Sequence, residues 1–166
     1  MLCDSQDAGA PAGVASGRAG RPGAASVLRR GKLLGGGVRM GLCVAVVGSR
    51  SLAGSWACCP LALGRWLPAP GLPGLSIITG GAPGVDAAAA AWAARVGVPC
   101  VALRPAWSVL GRAAGPARNA ALAARADAAV VVFDARPGAP VSRGSLDVLA
   151  RLQRAGVPCR VVRVLS

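Results

Sequence analysis

Residues 78–94 read ITGGAPGVDAAAAAWAA. An apolar, β-branched pair ends in a corner of Gly80, Gly81, Pro83 and Gly84, and the chain turns at once into an alanine-rich helix former. A strand that stops at glycines and restarts as a helix leaves free backbone N–H groups at the helix N-terminus. Those groups and the helix dipole favour an anion, typically a phosphate. A plain strand-to-helix turn also favours Gly and Pro, so the stretch needs support from the rest of the chain.

That support is periodic. LCVAVV (42–47), LSIIT (75–79), VPCVAL (98–103), AAVVVF (128–133) and CRVVRV (159–164) are short and mostly apolar throughout. Strands buried on both faces of a parallel sheet have this character. Helix formers lie between them at 87–95, 116–126 and 145–155, with a weaker segment at 61–67. Strand and helix in alternation imply βαβ units and a doubly wound, mainly parallel α/β sheet of about five strands. Arg160 and Arg163 mark the last strand as an edge.

Residues 1–39 are rich in Gly, Ala and Arg, have little to bury, and are expected to be disordered. The ordered domain is expected to span 40–166, with Met40 as its natural start; a presequence is the second reading of the segment before it.

Composition narrows the function. The chain of 166 residues carries a formal charge of +13, with no His and no Glu. Arg supplies nearly all of the basic charge, there is no dense Lys/Arg run, and aromatics for base stacking are few. Nucleic acid is therefore the second choice of partner, behind a small phosphate-bearing molecule. The six cysteines form no CxxC pair, and without histidine a Cys/His zinc site is excluded. No metal and no further cofactor are expected. Cys43, Cys100 and Cys159 read as small buried hydrophobes of a reducing compartment, hence the cytoplasm. Cys58 and Cys59 suggest no role. No apolar run approaches the roughly 20 residues of a membrane span. A homo-oligomer stays open.

In an open parallel sheet, ligands sit beyond the carboxyl ends of the strands. Gly48, Ser49 and Arg50 follow the first strand; Gly80, Gly81, Gly84 and Asp86 follow the second; the third leads to Arg118 and Asn119; the fourth leads to Gly144 and Ser145. Gly admits a phosphate to the backbone, hydroxyls donate, and guanidinium binds phosphate bidentately. A side chain at Gly81 or Gly84 is then expected to block the ligand without unfolding the chain. Asp86, in the first turn of its helix, would cap that helix or bond a ribose hydroxyl. Trp92 is assigned to the core, and Trp107 to the core or a lid.

In order and spacing, VAVVGSR, ITGGAPGVDAAAAAWAA, PAWSVLGRAAGPARNAALAARADAAVVVFD and SRGSLDVLARLQRAGVPC resemble the SLOG superfamily, in its YspA-like branch. The resemblance runs from about Met40 to Val164. It implies a Rossmann-like fold with a nucleotide or nucleotide-derived ligand at the Gly-rich loops, and a sensor rather than an enzyme. Smf-type DNA-processing proteins and Lonely Guy hydrolases are relatives in the same superfamily. They imply two alternatives: single-strand DNA binding and nucleoside-monophosphate phosphoribohydrolysis. The hydrolases carry a catalytic Glu where Val148 falls here. A hydrolase built on this chain would have to use Arg118 with Asp86 or Asp147. Both carboxylates lie near helix starts, where a depressed pKa suits capping better than proton donation.

Overall fold

A computed structural model describes residues 41–55 and 58–165. The segment expected to be disordered, 1–39, and the start at Met40 lie outside the described residues. Five strands, β1 (Cys43–Gly48), β2 (Ser76–Thr79), β3 (Cys100–Ala102), β4 (Ala128–Asp134) and β5 (Cys159–Val164), form one sheet of order β3-β2-β1-β4-β5. Every neighbouring pair is parallel. The helices are α1 (Pro60–Gly64), α2 (Val85–Val96), α3 (Trp107–Leu110), α4 (Ala114–Arg125) and α5 (Arg143–Arg154).

The strand period of two sorts the side chains into two layers. Val44 and Val46 of β1, with Ile77, Val130 and Val132, pack against Leu63, Ala89 and Trp92 of α1 and α2. Ala45 and Val47 of the same strand, with Ile78 and Val131, pack against Leu122 of α4 and Val148 and Leu152 of α5. Helices therefore cover both faces, which is why the central strands are apolar at consecutive positions. Trp92 is buried at 5% exposure, as its place on the alanine-rich helix implies.

Two expectations shift. β5 is an edge, as Arg160 and Arg163 indicate, but so is β3, whose apolar Val101 is 53% exposed. The weak helix at 61–67 is a five-residue turn, α1. Cys58 is half-buried against the α1–α2 layer and Cys59 is exposed; the structure adds no role for either. Among the described residues no helix is long and apolar enough to cross a membrane.

The order reverses between β1 and β4. β1 connects towards β2 on one side of the sheet, and β4 lies on its other side. The crevice beyond their carboxyl ends is where such a sheet opens to a ligand.

Candidate functional site

A cleft of about 340 Å3 lies at that reversal. Its floor is the end of β1, Val47 and Gly48, followed by Ser49, Arg50 and Ser51. Its far wall is the start of α5 with the loop before it, Pro140 to Ser145. Ala82 and Asp86 close it from the α2 side, and Arg118 reaches in from α4. Its volume falls in the range of small-molecule sites.

Three arginines line this space, Arg50, Arg118 and Arg143. Burial lowers the pKa of Arg118 below the ordinary guanidinium value; the Asp86 charge opposes that shift and the Arg50 charge adds to it. Arg118 stays charged at neutral pH. Its buried Nε has no hydrogen-bond partner among the described residues. The α5 N-terminus supplies further donors. Leu146 N–H already bonds the Ser142 carbonyl, while the N–H groups of Gly144 and Ser145 have no partner among the described residues. The Ser142 and Ser145 hydroxyls bond each other at 2.8 Å, and Ser145 is buried.

Asp86 has a different task from the ribose contact considered above. Its carboxylate is 3% exposed and accepts backbone N–H groups from Gly80 (2.8 Å), Gly48 (3.3 Å) and Ala82 (3.4 Å). One side chain thus ties the end of β1 to the corner after β2. Its pKa is raised, not depressed: burial outweighs the three N–H donors and the Arg118 charge that pull it down.

The glycines divide by what touches them. A Cβ on Gly80 would fall on the Arg118 guanidinium, so this glycine makes room for that side chain. Gly84, at φ +84°, sits where a Cβ would come 2.7 Å from the Ser49 carbonyl oxygen. Gly81 donates its N–H to the Thr79 hydroxyl at 3.3 Å. None of these three lines the cleft, whereas Gly48 and Gly144 do.

The remaining candidates support the walls. Ser49 is buried, and its hydroxyl accepts the Asp134 N–H at 3.1 Å. Asp134 is the last residue of β4. Its carboxylate, closed to solvent, accepts the Ser51 hydroxyl at 2.6 Å and Arg136 at 2.7 Å. Those bonds hold its pKa well below the carboxylate range. Asn119 is buried and does not line the cleft; its amide donates to Asp147 at 2.8 Å and its Oδ1 has no partner among the described residues. Asp147 also accepts from Arg151 at 2.9 Å, so that burial, which would raise its pKa, is outweighed and the pKa is lowered. It does not line the cleft. Asp127 holds the other end of the sheet, accepting the Cys43 N–H at 2.8 Å. Val148, where the related hydrolases have Glu, lines the cleft at 2% exposure. Among the described residues no cluster of His, Cys, Asp or Glu could hold a metal ion.

Arg143 belongs to the stretch 142–145 after the fourth strand, which in sequence combines Gly and hydroxyls with an arginine. Its signal was its position, first residue of the helix after β4 and next to Gly144.

Residues 43–109 match the family described as YAcAr: YspA, cpYpsA-related SLOG family. No curated protein matches the chain. Among solved structures, the fold is similar to DNA processing protein A (DprA) from Streptococcus pneumoniae, with TM-score 0.54 and 22% identity over 74% of this chain and 50% of that one. The chain thus spans about half the length of that protein. The first two of the four motifs lie within the matched residues, so the chain is similar to the SLOG family over residues 43–109.

Proposed function

We propose that the chain binds a nucleotide or nucleotide-derived ligand by its phosphate, in the cleft beyond β1 and β4, and releases it unchanged. The observation that carries this reading is the convergence of Arg50, Arg118 and Arg143 with the unpartnered N–H groups of Gly144 and Ser145 around one space. Charge-assisted bonds to phosphate are the strong ones, and a helix N-terminus adds to them. Binding without turnover follows from the carboxylates. Cleavage of an N-glycosidic bond needs help for the leaving base and the oxocarbenium-like carbon. Asp86, the one carboxylate lining the cleft, is occupied by three backbone donors.

DNA binding is the second reading. Residues 41–165 hold thirteen Arg against four Asp, a net +9, and the fold neighbour is named as a DNA processing protein. Calorimetric titration with the four common nucleoside 5′-monophosphates, followed by chromatography for free base, tests the proposal. Stoichiometric binding with intact nucleotide is expected. Free base, lost on Asp86→Asn, would make the chain a hydrolase. No monophosphate binding, together with single-strand DNA affinity that falls steeply with salt, would favour the DNA reading.

A further inference from the structure

Trp107 stands out among the described tryptophans. Trp92 is buried and Trp66 half-buried, but Trp107 is 57% exposed. It opens α3, a single turn with no buried residue, so core packing does not account for an indole there. The Trp107 ring rests on α4: its Cη2 lies 3.5 Å from where a Cβ on Gly115 would be. Gly115 and Arg118 are three residues apart on that helix and therefore on one face. Arg118 in turn lies over Gly80 and reaches the cleft. A Cβ on Gly81 would lie 3.3 Å from Arg104 Cγ, so the Arg104 stem passes over that glycine. Trp107 does not itself line the cleft; it adjoins, at Gly115, the helix face that carries Arg118 to it.

We infer that Trp107 is the platform on which the nucleobase of the ligand stacks while its phosphate lies at Arg118 and the start of α5. The inference rests on the phosphate-binding reading above and adds the part of the ligand that distinguishes a nucleotide from a sugar phosphate. The chemistry fits the exposed surface. An indole offers a π-face that any base can use. Glycine at 115 lets the ring lie close to the helix backbone, which fixes its position before a base arrives.

Affinities of the best-bound nucleoside 5′-monophosphate and of ribose 5-phosphate, measured by calorimetry on the full chain, test the inference. In the wild type the nucleotide should bind roughly 5- to 150-fold more tightly, the range that base–aromatic stacking spans. Trp107→Ala should reduce the nucleotide to the affinity of ribose 5-phosphate and leave ribose 5-phosphate unchanged. Trp107→Phe should keep much of the gap. Because the side chain is exposed, both variants should fold. Ribose 5-phosphate binding with a gap that is absent, or that survives Trp107→Ala, overturns the inference alone. A change in sedimentation of Trp107→Ala with the gap intact overturns it too, assigning the patch to a second copy. If neither compound binds the wild type, the phosphate site falls and this inference with it.

Discussion

At the residue scale, Asp86 and Asp134 serve the same end by opposite electrostatics. Asp86, on α2, fastens the end of β1 through the Gly48 N–H, and Asp134, at the end of β4, fastens the loop after β1 through the Ser51 hydroxyl. Asp86 is raised by burial, so its folded state holds a proton more tightly than the unfolded chain. Its stabilising contribution is complete below the ordinary carboxylate pKa of about 3.9 and is lost as pH rises through the folded value. Asp134 is lowered by its bonds from Arg136 and Ser51, so its contribution is present above about 3.9 and is lost as pH falls. Thermal midpoints against pH should therefore separate the two. The deficit of Asp86→Asn relative to wild type narrows as pH rises from about 4, while that of Asp134→Asn narrows as pH falls below about 4. Parallel deficits for the two variants would contradict this account. The sequence pointed to Asp86 as a first-turn residue. It could not show that the carboxylate faces inward to three backbone donors, because that depends on how closely β1 and β2 end together. Arg143 was legible only as part of the stretch 142–145, because one arginine among many gains an individual role when the fold places it at a cleft.

At the element scale, the Gly-rich corner does two jobs that look alike in sequence. Glycines that admit a phosphate and glycines that admit other protein atoms have the same letter. In this fold Gly80 yields space to Arg118, and Gly84 yields it to the backbone of Ser49 and Arg50. A side chain at 84 meets that backbone and a φ of +84° together, so the expected cost is to the fold as well as the ligand. Gly84→Ala should destabilise the protein by at least about 2 kcal/mol in a denaturant titration. A midpoint equal to wild type would show that the corner relaxes freely. The alternation of strands and helices was legible because helices cover both faces of β1 and β4, leaving continuous apolar runs. β3 was read as doubly buried for the same apolar content, yet it is an edge. Strand order depends on pairings that composition does not encode.

At the scale of the whole molecule, the sheet reversal gathers residues that lie far apart in the chain. Arg50, Arg118 and Arg143 come from after β1, from α4 and from the start of α5. Placing candidate residues at strand carboxyl ends was enough to find this region. It did not separate the residues that border the cleft from those that brace it, such as Asn119 and Asp147. The central claim is that converging positive charge holds a phosphate, and Arg118 is its test: the side chain is half-buried, has an unpartnered Nε and lies against Gly80. Calorimetry of the four nucleoside 5′-monophosphates with wild type and Arg118→Met decides it. Loss of a charge-assisted bond costs about 1.5–3 kcal/mol, so the account predicts binding to wild type and affinity weaker by about 10- to 100-fold in the variant. The same affinity in both proteins, or no binding of any monophosphate to the wild type, would contradict it.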